Sequence, residues 1–240
     1  MPEPQHRAEP QPIRLHGVEL LAAAEGVLVW PEERTLVVAD LHLEKGSSFA
    51  RRGVMLPPYD TRATLERLAR AVERHDARRI VCLGDSFHDG EAVARLDAGD
   101  AALLAALARA VELIWIAGNH DPAPPAALGG RVVEGEFRLG PLTFRHIAAP
   151  LFARGEVSGH FHPKASIDVR GRRLSGRCFV LDEHRLVLPA FGAYAGGLDV
   201  FEPALRALFP GDFAVHLLAR ERVTKLPHAR LAGFWRDGPL

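Results

Sequence analysis

Along the chain, short apolar runs stop abruptly at polar or glycine-led motifs, and between them lie segments whose apolar residues recur at helical spacing. From Ile13 to Trp30, apolar pairs and triplets are interrupted by Gly17 and Gly26, the pattern of a β-meander. Pro31 to Arg34 reads as a turn, and a strand from Thr35 then delivers Asp40-Leu41-His42. Strand residues alternate faces, so Asp40 and His42 are expected on one side and Leu41 in the core. Glu44 to Gly53 is too polar for a core and precedes Pro57-Pro58; it reads as a long functional loop or a short surface helix. From Asp60, a candidate N-cap, Leu65, Leu68, Ala69 and Val72 recur at helical spacing. The Ile80 strand ends in Gly84-Asp85. A second helix, about Asp100 to Ala110, sets Leu103, Leu104, Leu107 and Val111 on one face before the Leu113 strand. Strand, helix, strand, helix, strand predicts a mostly parallel sheet with crossover helices.

The second half is β-rich. Hairpins are expected over Arg131–Ile147, a strand pair over Glu156–Asp168, and another over Cys178–Pro189 joined around Asp182-Glu183-His184. A short helix near Pro203–Phe209 and a last stretch, Phe213–Leu226, follow. Two β-rich halves with helices outside predict an α/β (α+β) fold, a four-layer αββα sandwich. Residues 1–12, rich in Pro, Glu and Gln, read as a loose tail and not a signal peptide; 13–240 reads as a single domain.

Thirty basic and thirty acidic side chains cancel, so any anionic partner must be met by local patches. The most apolar region, Ala101 to Ala117, is broken by Arg109 and Glu112 and falls short of the roughly 18 apolar residues of a membrane span. Cys82 and Cys178 lie inside apolar runs, as buried thiols of a reducing compartment would, and the expected location is the cytoplasm.

Four predicted strand ends carry Asp40 and His42, Asp85, Asn119 and His120, and His160 and His162, and α/β proteins keep their chemistry at such ends. Asn119 is the sole asparagine of the chain, between Gly118 and His120. The set suits two divalent cations acting on either side of a displacement at phosphorus. Such a centre needs one bridging carboxylate, for which Asp85 is the natural choice. Asp40, His42 and His162 complete one metal; Asn119, His146 and His160 complete the other. His6, His16, His75, His184, His216 and His228 lack such a setting and read as surface or structural.

Asp40-x-His42, Gly84-Asp85, Gly118-Asn119-His120-Asp121, His146 and Gly159-His160-x-His162, in that order, resemble the signature of calcineurin-like metallophosphoesterases. The stretches Asp40–Phe49, Gly84–Asp89 and Phe191–Asp199 further resemble a bacterial branch, the ligase-associated DNA-damage-response endonucleases. The resemblance implies the αββα fold, manganese at a dinuclear site, His120 as proton donor to the leaving oxygen and Asp121 orienting it. Iron and zinc also suit the mixed imidazole, carboxylate and amide ligands. It implies DNA ligase and a helicase or exonuclease of repair as partners; oligomeric state stays open. One departure is His88, where phosphoprotein phosphatases of the family carry Asp; phosphoprotein substrates lose ground and His88 becomes a candidate substrate contact.

Lys164, Arg170, Arg172, Arg173 and Arg177 crowd the segment after His162 against one acid, Asp168, while Lys45, Arg51 and Arg52 follow the first motif. Arg51, Arg52, Arg172 and Arg173 are therefore candidate contacts to DNA phosphates. The expected function is a DNA phosphodiesterase or endonuclease. The alternatives are a small-molecule phosphodiesterase or phosphatase, and a metal-stabilised repair scaffold without turnover.

Overall fold

The computed structural model describes residues 9–124, 126–150, 153–219 and 222–231. Seven strands form a first sheet in sequence order: β1 (Gln11–Leu15), β2 (Val18–Ala22), β3 (Leu28–Trp30), β4 (Thr35–Val38), β5 (Arg79–Cys82), β6 (Glu112–Ile116) and β7 (Arg131–Val133). The first four make an antiparallel meander, and β4 to β7 are parallel. Between the parallel strands run the helices α1 (Lys45–Arg51), α2 (Asp60–Arg74), α3 (Ala92–Arg95) and α4 (Ala98–Ala110).

The second sheet holds β8 (Glu136–Leu139), β9 (Leu142–Arg145), β10 (Glu156–Ser158), β11 (Lys164–Val169), β12 (Arg172–Leu181), β13 (Arg185–Val187), β14 (Ala214–Leu218) and β15 (Val223–Pro227). Its order is β15-β14-β12-β13-β10-β9-β8, with β11 pairing only to β12.

Alternation builds the layers. Val37, Val81 and Ile114 point from the first sheet to Phe144, Val157, Phe179 and Leu186 of the second. Their neighbours Val38, Ile80, Cys82 and Leu113 face the other way, onto Leu65 and Leu68 of α2 and Leu104 and Leu107 of α4. On the far side of the second sheet, Cys178, Val180, Val215 and Leu217 pack on Leu205, Leu208, Phe209 and Phe213. The fourth layer is thin, because α5 (Pro203–Arg206) has four residues and the rest of the cover is loop. Both cysteines are free and buried. Among the described residues no helix is long and apolar enough to cross a membrane.

Several expectations change. β1 begins at Gln11, so Gln11 and Pro12, assigned to the tail, pair with Ala22 and Leu21; residues 1–8 lie outside the described residues. Asp60 is no cap: α2 starts on it, and its carboxylate instead accepts the Gly46 N–H at 3.0 Å. The second helix starts at Ala98, where Asp97 accepts the Gly99 N–H. β7 joins the first sheet rather than a hairpin. β10 and β11 are not partners: β10 lies parallel to β9 and β13, while β11 makes a hairpin with β12. An apolar period reveals which face is buried, not which strand lies alongside.

Candidate metal centre

Parallel strands end on the same edge, and the edge here collects chemistry from both sheets. Past β4, β5 and β6 come Asp40, Asp85 and Asn119; past β9 comes His146, and past β10 come His160 and His162. The sheets are tied together at this edge. Ala39 bridges to Ala190, the Phe191 N–H donates to Ala39 O at 2.7 Å and the Gly192 N–H to Asp40 O at 3.1 Å.

Strand alternation does not bring Asp40 and His42 together as the sequence suggests, because β4 stops at Val38. A left-handed backbone does so, with φ 54° at Asp40 and 45° at His42; Asp85, His160 and His162 follow with 47°, 71° and 48°. Non-glycine residues adopt this region at a cost of about 1–2 kcal/mol each. The surroundings enforce it. Leu41 is buried in the helix-side core, the His160 N–H donates to Asp40 Oδ2 at 2.9 Å, and the His120 N–H donates to Asp85 Oδ1 at 2.9 Å.

The predicted ligands fall into two groups. In the first, His162 Nε2 lies 3.4 Å from both His42 Nε2 and Asp40 Oδ1. In the second, His146 Nε2 is 2.9 Å from Asn119 Oδ1, 3.2 Å from His160 Nδ1 and 3.4 Å from Asp85 Oδ1. His146 Nδ1 sits 2.8 Å from Leu83 O, so that nitrogen carries the proton and Nε2 turns its lone pair on the other three. Lone pairs converging at such distances repel unless a cation lies among them, so the residues present fit a pair of divalent metals. Asp40 and Asp85 are each felt by both groups: Asp40 Oδ1 lies 3.8 Å from His146 Nδ1, and the Asp85 charge reaches His42. Burial works to raise the pKa of Asp85, but the His146 hydrogen bond and charge, the His120 N–H and the nearby His42 outweigh it and hold it near 2.

Protonation suits ligation. Burial, then His162, depresses His42 to about 3, and burial and His146 depress His160. Neutral imidazoles are what metals bind. His146 is the exception: burial works against its proton, but the Asp85 hydrogen bond and the charges of Asp40 and Asp85 raise its pKa, so a cation at Nε2 would have to displace a proton there.

Glycines make the close approach possible. A Cβ on Gly118 would lie 2.2 Å from Asp85 N, and one on Gly84, at φ 77°, would meet the His146 ring at 2.6 Å. The sequence offered these glycines as markers of strand ends; their packing role needed the second sheet to be seen.

His120 and His88 line the same centre. His42, His88 and His120 bring nitrogens within 4.8 Å of one another, and the His88 and His120 rings stack at 5.3 Å. The orienting partner of His120 is the His88 carbonyl, 2.9 Å from Nδ1. Asp121 does other work: its Oδ2 accepts the N–H groups of Ser86 at 2.8 Å and Phe87 at 3.0 Å, pinning the loop that carries Asp85. Burial, helped by the Asp85 charge, pushes its pKa up to about 6 against those N–H groups.

The arginines are spread more widely. Arg51 pairs with Glu91 on the rim of a cavity of about 480 Å³ that Arg52 also lines. Arg172 and Arg173 occupy the far end of the β11–β12 hairpin, opposite Val169 and Asp168, roughly 15 Å along the strand from Lys164. A second cavity, about 430 Å³, opens beside Asn119 and His146 and is lined by Glu136, Arg145 and Ile147.

Residues 33–185 match the sequence family described as calcineurin-like phosphoesterase. Among solved structures, a Pseudomonas putida nuclease MPE is 33% identical, with a TM-score of 0.71 over 91% of this chain and 100% of that one. YfcE, a phosphoesterase from E. coli, aligns with 16% identity and a TM-score of 0.43 over 80% of this chain and 97% of its own, too weak a likeness to carry argument. No curated protein matches the chain.

Proposed function

The chain belongs to the calcineurin-like phosphoesterases and is a metal-dependent hydrolase, and from that premise we propose that it cleaves DNA phosphodiester bonds as an endonuclease with two manganese ions. The observation that carries the reading is the facing pair of ligand groups, Asp40/His42/His162 and Asp85/His146/His160, with Asn119 on the second and His120 beside both. The 33% identity to a bacterial nuclease over nearly the whole chain supports the choice of nucleic acid.

Two cations held by these residues would supply charge neutralisation at the phosphoryl oxygens and an activated water. The protein's own groups do the rest. Asp85 would serve as the carboxylate shared by the two ions. His120, with Nδ1 held by the His88 carbonyl, presents Nε2 to give its proton to the departing alkoxide oxygen. His88, stacked on His120, walls the leaving-group side. Buried free thiols agree with a cytoplasmic enzyme, and a repair role with a ligase and a helicase or exonuclease follows from the branch resemblance.

A small-molecule phosphodiesterase is the second reading, favoured by the 430 Å³ cavity beside Asn119, which is large enough for a nucleoside. Supercoiled plasmid with manganese separates the two. Nicking that is lost on chelation supports the nuclease. Hydrolysis of an aryl phosphodiester with the plasmid left intact favours the small molecule, and no turnover by fully metallated protein leaves only a scaffold.

A further inference from the structure

Helix α1 leaves two positive charges uncommitted beside the metal centre. Lys45 opens it and Arg52 caps its end, seven residues apart, so both project from one face. Lys45 follows the candidate ligand His42 by three residues, and Arg52 shares a cavity with Asp89, the residue after His88. Lys45 Nζ lies 5.8 Å from the Phe49 ring centre, and Phe49 lies 5.8 Å from the ring of His88, which stacks on His120.

The neighbouring arginines are already paired: Arg51 with Glu91, and Arg95 with Asp89 at 2.9 Å. Lys45 and Arg52 form no ion pair among the described residues. Asp60 attracts Lys45 from beyond contact, but its carboxylate is already held by the Gly46 N–H. A half-buried ammonium without a counterion is destabilising, and a ligand anion relieves it. Lys45 is also one of only three lysines among thirty basic residues, and a lysine offers a compact point charge where an arginine offers a planar fork. Arg52 lines the 480 Å³ cavity, whose two acids, Asp89 and Glu91, are already paired with Arg95 and Arg51.

We propose that Lys45 and Arg52 form an anion subsite for the phosphate next to the scissile one, on the His120 side, so that the preferred substrate carries two phosphates separated by one sugar. This rests on the phosphodiesterase reading of the metal centre and refines it. A lone aryl diester has no group to place there; every internal bond of a polynucleotide has one.

Calorimetric titration of the manganese-loaded protein with thymidine 3′,5′-bisphosphate and with thymidine 5′-monophosphate tests it. The wild type should bind the bisphosphate about tenfold more tightly, as a charge-assisted contact allows. Lys45→Gln or Arg52→Gln should cut that preference to about two- or threefold, and the double variant should abolish it, with manganese content measured on the same samples. Lys45→Arg, which keeps the charge, should retain the preference. No preference in the wild type, an undiminished preference in the double variant, or equal loss in K45Q and K45R overturns the subsite. Because binding is read without turnover, a preserved preference in a protein that fails to nick plasmid removes the nuclease reading and leaves the subsite standing.

Discussion

At the scale of single residues, two neighbours in the sequence, His120 and Asp121, have separate tasks. Replacing His120 by Ala removes a ring that is held by the His88 carbonyl and belongs to neither ligand group of the proposed metal pair. Metal content should stay near normal, while turnover falls about 10²–10⁴-fold for alkyl leaving groups and far less for p-nitrophenolate, which needs no proton. Equal losses for both would remove the proton-donor role. Asp121→Ala strands two buried N–H groups, at about 1–3 kcal/mol each. It should therefore lower stability and manganese content together, whereas Asp121→Asn, which keeps an acceptor, should do neither to the same degree. Denaturant melts and elemental analysis read both. A different histidine governs acid stability. His216 is 1% exposed with neither ring nitrogen hydrogen-bonded, and burial, then Lys225, depresses its pKa to about 4. Below the ordinary value of about 6.5 the unfolded chain takes up a proton that the folded one refuses, so stability present above that pH drains away as pH falls toward 4. The loss approaches about 3 kcal/mol. His216→Leu should flatten the fall, and its gain in denaturant midpoint should be larger at pH 5 than at pH 8.

At the scale of elements, the parallel β4–α2–β5–α4–β6 unit was legible because each apolar run is bounded by a glycine or a charged motif and each helix repeats its leucines. That unit alone fixes where Asp40, Asp85 and Asn119 emerge. In the second half the hairpins β8–β9 and β12–β13 were legible from their local turns, but the parallel pairing of β10 with β9 and β13 was not, since a three-residue strand takes both partners across intervening sequence. The left-handed turns at Asp40 and His42 were hidden too, because no glycine announces them. Of the basic residues, the sequence marked a segment but not its shape: β11 and β12 form an arm with a two-residue turn at Arg170-Gly171, φ 51° and 74°, and Arg172 and Arg173 lie at its far end. Arg170 and Arg172 form no ion pair among the described residues, while Arg173 faces Asp168 at 3.6 Å. If the arm touches duplex phosphates, Arg170→Gln with Arg172→Gln should weaken plasmid binding uniformly across sequences. Each arginine–phosphate pair so removed should lower the slope of log affinity against log salt by about 0.9. An unchanged slope would make the arm a solvated hairpin.

At the scale of the whole molecule, the sandwich holds a strained site on a well-packed frame. Three apolar clusters join the layers. The ligand edge is polar: five of the seven candidate ligands sit at positive φ, and Asp40 and Asp85 are carboxylates at 0% and 2% exposure, set among imidazoles whose lone pairs face each other. Removing the cations should therefore loosen that edge and leave the frame standing. A ligand at a hundred times its dissociation constant stabilises by about 2.7 kcal/mol, which for a chain of this length corresponds to roughly 5–10 °C in Tm. Chelation should lower Tm by about that amount, and manganese should restore it with an end point of two ions per chain. Hydrogen exchange on the chelated protein should quicken at 40–44, 85–88, 119–121 and 160–162, while β4, β5 and β6 keep their protection. A Tm indifferent to chelation, or exchange that quickens across the strands as much as at their ends, would mean that the metal and the strained edge are not coupled, and the two-ion centre would lose its physical basis.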